Sequence, residues 1–285
     1  LNSLSAWFRR LSYQQKFNVI SLIFLIPIIA FFPLIGNEVR RIERYGSDEL
    51  FGTIYIRPLW RIQNDLHLHQ IVSESFFKGR VDFAELEEVE NSIDSNFETL
   101  AFVESQEILS EPYRSETDAM RADWLEIKNS VLNSDSSAVQ GLHQGLYDRI
   151  SKLMSRVADE SQLVLDPDLD TYYLMDTVVF QMPENQELTF EMYEAVESIS
   201  GIASPAEREK LASLIGNIEA SMAEIDRNLS VALANNTNGS MEPIIAAPFE
   251  TYQSEMQAYF RFIQSEVIAG DGTASISGNN RLGYE

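Results

Sequence analysis

The sequence contains no cysteine. Disulfide bonds, thiolate metal sites and cysteine nucleophiles are therefore excluded. A domain outside the cytoplasm without disulfides must hold its fold by packing alone, and long helical bundles do this readily.

Basic residues are also scarce. The 285 residues include 21 Lys and Arg against 44 Asp and Glu, which gives a formal net charge of −23. A surface this acidic repels nucleic acid and anionic lipid head groups. We therefore expect neither of them as a partner of the main body of the chain.

Patterns typical of catalytic and cofactor sites are missing as well. The sequence has no glycine-rich phosphate loop and no G-x-S-x-G motif, and it has only three histidines. His67 and His69 stand two positions apart, so on a helix they point in different directions, whereas zinc pairs use spacings of three or four. We interpret them as a solvent-exposed pair, and we expect no enzyme activity, metal or cofactor in this segment.

A long apolar run is present near the start of the chain. From Phe17 to Ile35 the sequence reads FNVISLIFLIPIIAFFPLI and contains no charged residue. Because about 20 apolar helical residues span the hydrocarbon core of a bilayer, we expect a transmembrane helix over residues 17–36 after a cytoplasmic N-terminus, residues 1–16. A cleaved signal peptide is the alternative, although the run exceeds the usual apolar region and no small-x-small cleavage site follows.

The rest of the chain has helical periodicity and few strand signals. Apolar residues recur at steps of three and four in two stripes, each suited to one buried helix face. The first stripe is Leu142, Leu146, Ile150, Leu153 and Val157, and the second is Leu211, Leu214, Ile218, Met222, Ile225, Leu229 and Leu233. The sequence therefore predicts an all-α fold, an N-terminal transmembrane helix followed by an elongated helical bundle. The predicted helices of the body cover residues 38–77, 84–108, 112–132, 137–165, 168–182, 185–200, 205–236 and 243–268.

Two organisations of these helices are compatible with the sequence. The body could form two stacked four-helix sensory modules, residues 37–165 and 166–269, or one elongated bundle with kinks. Residues 270–285 are rich in Gly, Ser and Asn, so we expect a flexible tail or the end of a fragment there.

Prolines mark several predicted helix ends. Ser204, Pro205 and Glu207 form the pattern of a capping box with proline at the first helical position. Asp166 and Pro167 suggest another N-cap and first position, and we expect Pro183 to end the helix that begins there.

The densest motif is the acidic sequence DESQLVLDPDLDTYYLMD, residues 159–176. Its DPDLD core resembles the opening of a calcium-binding EF-hand loop, but the sixth position is Thr171 instead of Gly and the twelfth is Thr177 instead of Glu. A structural interpretation places Asp166 and Asp168 in the first turn of a helix, where carboxylates are favourable. The functional alternative is a grip for an amine or another cation, formed on one helix face by Asp170, Tyr173 and Asp176.

Three blocks of the sequence resemble the N-terminal region of bacterial transmembrane chemoreceptors and sensor histidine kinases. The first block is LSYQQKFNVISLIFLIPI, beginning at Leu11. The second, Glu49–Leu59, is similar to an E-x-x-G-x-x-Y-x-x-P-L pattern and contains Glu49, Gly52 and Pro58. The third resembles a D-x-S-x-L-x-L-D-P-D-L-D-S-Y-Y-L-M-D signature, with Thr171 in place of serine and Val164 in place of isoleucine.

The resemblance implies an extracytoplasmic sensory region, anchored in the bacterial inner membrane through residues 17–36 and paired as a homodimer. Such a region binds a small molecule or a periplasmic binding protein and relays a helix shift across the membrane. The implied output is chemotaxis first, then a histidine kinase or a diguanylate cyclase, and the output module would lie beyond this chain. Gly52 and Pro58 would allow the long first helix to bend.

The sequence does not identify the ligand. We expect an interhelical pocket lined by the aromatic side chains Tyr55, Trp60, Tyr172 and Tyr173, together with the carboxylates Asp170 and Asp176. A membrane-anchored helical scaffold or adaptor without a small-molecule ligand is the alternative function, and a secreted helical protein is a third possibility.

Overall fold

The computed structural model describes residues 12–106, 110–133, 136–165 and 168–270. Within these ranges every regular element is helical and no strand occurs, which confirms the all-α class. The α-helices of the described residues are α1 (Tyr13–Phe77), α2 (Phe83–Gln106), α3 (Arg114–Asn133), α4 (Ser136–Glu160), α5 (Leu169–Asp176), α6 (Met182–Glu197), α7 (Pro205–Asn235) and α8 (Glu242–Phe262). A 3-10 turn covers Leu163–Leu165, and π-helical turns cover Thr177–Gln181 and Ile263–Ile268.

The residues of α1 fall into two compact units of the chain, Leu1–Leu50 and Phe51–Glu285. In the first unit, the large apolar side chains described between Phe17 and Phe32 are all at least 45% exposed. No helix contains, in its described residues, a segment long and apolar enough to cross a membrane. The structure thus does not support the membrane-spanning helix expected at residues 17–36.

The second unit contains a large apolar core made by four helices. Leu59 of α1, Ile93 of α2, Met120 of α3 and Ile150 of α4 are all fully buried in it. Burial of one such side chain stabilises the fold by about 1.5–3 kcal/mol. The apolar stripe predicted along residues 142–157 faces this core, so the periodicity of α4 identified its buried face correctly.

Another apolar cluster joins the later helices of the same unit. It contains Met192 and Val196 of α6, Leu211 and Ile218 of α7, and Phe260 of α8. Helices α5 and α6 both pack along α7. The two clusters lie within one compact unit, and the division into modules at residues 165 and 166 stays a prediction.

The helix start predicted at Ser204 is confirmed. The backbone N–H of Glu207 donates to Ser204 Oγ at 3.3 Å, and that of Ser204 donates to Glu207 Oε2 at 2.6 Å, with Pro205 at the first helical position. By contrast, α5 begins at Leu169 with Asp168 as its N-cap, later than the start expected at Pro167. Asp166 and Pro167 themselves lie outside the described residues.

The prediction that Pro183 ends a helix is wrong. The chain continues from α5 through the π-helical turn directly into α6, and Pro183 lies in the first turn of α6. Proline has no N–H to donate to the carbonyl four residues earlier, and its ring collides with that carbonyl in a regular α-helix. The wider π turn immediately before Pro183 accommodates both effects, so the helix continues.

Candidate functional site

The second and third sequence blocks meet where α1 passes the segment after α4. Gly52 of α1 lies against Ser161 and Leu163, so closely that a Cβ built on Gly52 would be 2.1 Å from Ser161 Oγ and 2.7 Å from Leu163 Cδ1. Only glycine allows this approach, because any Cβ at that distance would overlap with its neighbours. The glycine of one block and the serine and leucine of the other thus form one contact.

Tyr55 is held in the first core by specific contacts. It is fully buried between Phe51 and Tyr113, and its hydroxyl donates to Glu104 Oε1 at 2.7 Å. Burial and the nearby Glu104 carboxylate raise the pKa of Tyr55, so the hydroxyl remains a proton donor. These contacts assign Tyr55 a packing role, and its expected contact with a ligand stays a prediction.

Trp60 lies further along α1 and is only partly buried against the same core. Its indole N–H is buried and has no hydrogen-bond partner among the described residues. Pro58 is buried within α1, and Glu49 is half-buried. Among the described residues, neither a hydrogen bond nor a ring contact joins Trp60 to the four residues expected from the acidic motif.

Those four residues lie on α5. The carboxylate of Asp170 accepts from Asn236 Nδ2 at 3.1 Å, and that of Asp176 accepts from Asn228 Nδ2 at 2.8 Å. Both bonds fasten α5 to α7 and the residue after it. Tyr172 and Tyr173 meet edge to face with ring centroids 5.1 Å apart, and neither is buried. The two carboxylates therefore have amide partners already, which favours the structural interpretation, and the cation grip stays a prediction.

The second unit also contains a depression in its surface away from these residues. It is a cleft of about 380 Å³ between α1, α4, the π-helical turn and the start of α6. This volume is in the range of small-molecule sites. The residues that line the cleft are Gln63, Tyr147, Ser151, Met154, Ser155, Val179, Phe180, Pro183, Glu184, Glu187 and Leu188. None of the six ligand-binding residues expected from the sequence is among them.

The orientation of one amide in this lining follows from its hydrogen bonds. The hydroxyl of Ser151 donates its only proton to the carbonyl of Tyr147 at 3.0 Å, so it must accept from Gln63 Nε2 at 2.6 Å. Gln63 is fully buried, and its Oε1 has no hydrogen-bond partner among the described residues. A buried acceptor without a partner costs about 1–3 kcal/mol, so a donor group that reached Oε1 would gain a favourable hydrogen bond.

Carboxylates are the only charged groups in the lining. Glu184 is exposed, and Glu187 is half-buried. His67 Nε2 is 3.2 Å from Glu187 Oε2, and the imidazole of His67 stacks between Tyr147 and Phe190. Burial and the nearby Glu187 raise the pKa of Tyr147, which keeps its hydroxyl protonated as a donor to the carbonyl of Pro183 at 3.0 Å.

A row of polar contacts joins the last part of α1 and the residues just after it to α6, and we call it the polar seam. Besides the His67–Glu187 pair, Gln186 Nε2 donates to Asn64 Oδ1 at 3.0 Å and Gln70 Nε2 donates to Glu194 Oε1 at 2.9 Å. Lys78 and Arg80 both reach Glu197 Oε2, at 3.1 and 2.9 Å. Because the cleft lies beside this seam, a ligand in the cleft would contact the same two helices that the seam connects.

The expectation that His67 and His69 are exposed is wrong. Both are buried, on opposite sides of α1, because other helices cover each side. His69 Nδ1 lies 2.7 Å from Nε2 of His143 on α4. His143 uses its Nδ1–H for the carbonyl of Val139 at 2.8 Å, so its Nε2 must accept from His69. When His69 is neutral, its proton is therefore on Nδ1, and its Nε2 carries no hydrogen and presents a lone pair.

Two charged side chains, Glu90 and Lys128, lie close to this Nε2 atom. His69 Nε2 lies 3.7 Å from Glu90 Oε1 and has no hydrogen-bond partner among the described residues. Lys128 Nζ lies 3.4 Å from the other oxygen of Glu90. Burial lowers the pKa of His143 to about 3 and also lowers the pKa of His69, although Glu90 opposes the shift at His69. Both imidazoles are therefore neutral at pH 7. Within the described residues no group of three ligating side chains could hold a metal ion.

Sequence reasoning missed the cleft because no local pattern marks it. Gln63 and Ser151 are 88 residues apart in the chain. One feature could have identified Gln63, namely its position on the buried face of α1 with Leu59 and Leu66. A polar residue on such a face needs a partner. Comparison of the chain with models of protein families, with curated proteins and with solved structures found no match.

Proposed function

We propose that this chain is the extracytoplasmic sensory region of a bacterial transmembrane receptor. It binds a small molecule in its helical body, and this binding shifts α1. The shift is relayed through the membrane to a cytoplasmic output module, for which a chemotaxis module is our first candidate. The three sequence blocks support this proposal, and so does the direct contact of the second and third blocks at Gly52 and Ser161.

The observation that carries the proposal is that one helix, α1, contains both an exposed apolar segment and a residue that lines a cleft in the body. Its residues from Phe17 to Phe32 expose large apolar side chains, which favours insertion of this segment in a bilayer. Its residue Gln63 lines the cleft in the body. In the proposed receptor the apolar segment would supply the anchor and Gln63 one wall of the ligand site, so both would belong to α1.

The polar seam supplies a physical basis for relaying ligand binding into a shift of α1. Ligand binding can shift a conformational equilibrium only if the ligand binds one packing of the helices more tightly than another. Polar pairs such as Gln70–Glu194 and Lys78–Glu197 can exchange partners at low cost, unlike an interdigitated apolar core. A ligand between α4 and α6 would bias the seam and thereby the position of α1.

Membrane topology is the first test. The full chain is expressed in bacteria with a C-terminal epitope, and membranes are extracted with alkaline carbonate. We expect the chain to remain in the membrane pellet and its body to be cleaved by protease added to spheroplasts. Release into the carbonate supernatant, or protection of the body from protease, would contradict the proposal.

Ligand binding is the second test. The purified full chain in neutral detergent is heated in the presence of amino acids, organic acids, amines and purines. A ligand at 100 times its Kd stabilises a fold by about 2.7 kcal/mol, which gives a measurable rise in Tm. A concentration-dependent rise for one class supports a direct sensor. No rise for any class would favour a membrane-anchored scaffold that binds partner proteins.

A further inference from the structure

We infer that the cleft beside Gln63 is the ligand site and that its ligand is a small organic amine. The protonated nitrogen binds at the carboxylates of Glu184 and Glu187, the body of the ligand packs on the apolar walls, and a second donor reaches Gln63 Oε1. The biological role of this site rests on the proposed sensory function. The inference adds the position of the site and the class of its ligand.

The charged residues that line the cleft favour a cationic class of ligand. The lining contains two glutamates and no lysine or arginine. The net charge of −23 attracts cations toward the body and repels anions. A carboxylate or phosphate ligand would find no basic group in the cleft, whereas an ammonium group gains a charge-assisted hydrogen bond from Glu184 and the attraction of the Glu187 carboxylate, which His67 and Gln144 also contact.

The walls select a ligand with an apolar body. Met154, Val179, Phe180 and Leu188 contribute apolar surface to the cleft. Methionine is flexible and adapts to irregular shapes, so this surface can fit a small ring or chain. A simple inorganic cation would leave these walls uncovered.

Gln63 provides an observation that is independent of the acidic residues. Its side chain is fully buried, its Nε2 is committed to Ser151, and its Oε1 has no partner among the described residues. The lining thus has one buried acceptor that a hydroxyl or N–H of a ligand can satisfy. The π-helical turn that supplies Val179 and Phe180 is of a type often found at functional sites.

The experiment uses isothermal titration calorimetry on the full chain in neutral detergent, with three amine probes. Tyramine carries an ammonium group, an apolar ring and a hydroxyl donor; phenethylamine lacks the hydroxyl; cadaverine is a flexible diamine. The acid of matched shape, 3-(4-hydroxyphenyl)propanoate, replaces the ammonium by a carboxylate. We expect binding of at least one amine and no heat from the acid.

Variants locate the binding. Glu184→Gln removes one exposed charge of the cleft and should weaken amine binding about tenfold, in the range of one charge-assisted hydrogen bond. Glu219→Gln makes the same change on an exposed residue of α7 and should bind like the wild type. Gln63→Met should weaken binding of tyramine more than that of phenethylamine, with little change in the Tm of the free protein, because loss of the bond to Ser151 is offset by removal of an unpaired buried acceptor.

Each possible result of these binding experiments either supports or overturns the inference. Absence of heat from all three amines at millimolar concentration overturns it, and so does equal binding of the acid or of the Glu184→Gln and Gln63→Met variants. Stabilisation of the chain by another ligand class would overturn the amine assignment and leave the sensory function in place. A body located inside the cell would remove the sensory function, while amine binding to the purified chain would still support the site.

Discussion

Gly52 leaves no room for a side chain, and this makes it a sensitive test of the contact between the two sequence blocks. In Gly52→Ala the added methyl would overlap with Ser161 and Leu163. Overpacking of this kind costs about 1–3 kcal/mol. We therefore expect a lower urea midpoint for the full chain in neutral detergent, followed by circular dichroism.

A second glycine supplies the control. Gly216 lies in α7, and a Cβ there would meet nothing within 4 Å. Gly216→Ala should raise the free energy of unfolding by about 0.5–1 kcal/mol, because alanine loses less backbone entropy in a helix. If both variants shift the midpoint equally, the close approach at Gly52 is not the cause of its effect.

The buried histidines predict how stability depends on pH. In the folded chain the pKa of His143 is about 3, whereas an unfolded histidine titrates near 6.5. Between these values the unfolded state binds more protons, so stability is lost as the pH falls below about 6.5. The slope is at most about 1.4 kcal/mol per pH unit for each such histidine.

Replacement of His143 tests this directly. In His143→Gln the slope of unfolding free energy against pH between about 6.5 and 4 should become less steep by one proton, whatever the change in stability at pH 7. Val139→Ala, a buried change on the same helix, should lower stability and leave the slope unaltered. An unchanged slope in the His143 variant would mean that this histidine is protonated in the folded state.

At the scale of a single element, two serine substitutions in α7 test the capping box of that helix. Ser204→Ala removes the acceptor for the Glu207 N–H and should cost about 1 kcal/mol of stability. Ser213, exposed in the middle of α7, is the matched control, and Ser213→Ala should change stability by less than about 0.5 kcal/mol. Chemical unfolding of the two variants gives the comparison, and an equal effect would show that Ser204 does not act as a cap.

Helices were the part of the fold that the sequence could predict. The periodicity of α4 and α7 and the Ser204 capping box depend on residues a few positions apart, and all three are confirmed. The π-helical turn at Thr177–Gln181 was not foreseen. Its wide turn lets the helix pass Pro183, whereas a sequence rule for proline assumes a regular α-helix.

At the scale of the whole molecule, the features missed by sequence reasoning join distant segments. His69 and His143 are 74 residues apart, and Gln63 and Ser151 are 88 apart. Each pair exists only because α1 and α4 share a core, and this depends on how four helices pack together. The exposed pair predicted at His67 and His69 was wrong for the same reason, since both sides of α1 are covered.

The net charge makes a prediction for the entire chain. With 44 acidic and 21 basic residues, carboxylates outnumber basic groups by 23. Their mutual repulsion opposes the compact state, and salt screens it, because the Debye length falls from about 30 Å at 0.01 M to about 8 Å at 0.15 M. Salt also weakens ion pairs, but exposed pairs such as Arg114–Glu111 contribute only about 0–1 kcal/mol each.

Repulsion therefore outweighs the ion pairs, and we expect the Tm of the full chain in neutral detergent at pH 7 to rise with added NaCl. Most of the rise should occur below about 0.2 M, where screening changes most. Sucrose at equal osmolality is the control, because it leaves the charges unscreened. A fall in Tm over this range would mean that the ion pairs of the polar seam dominate the electrostatic energy of the fold. A rise that begins only at molar salt would reflect exclusion of salt from the surface, and it would remove charge repulsion as the cause.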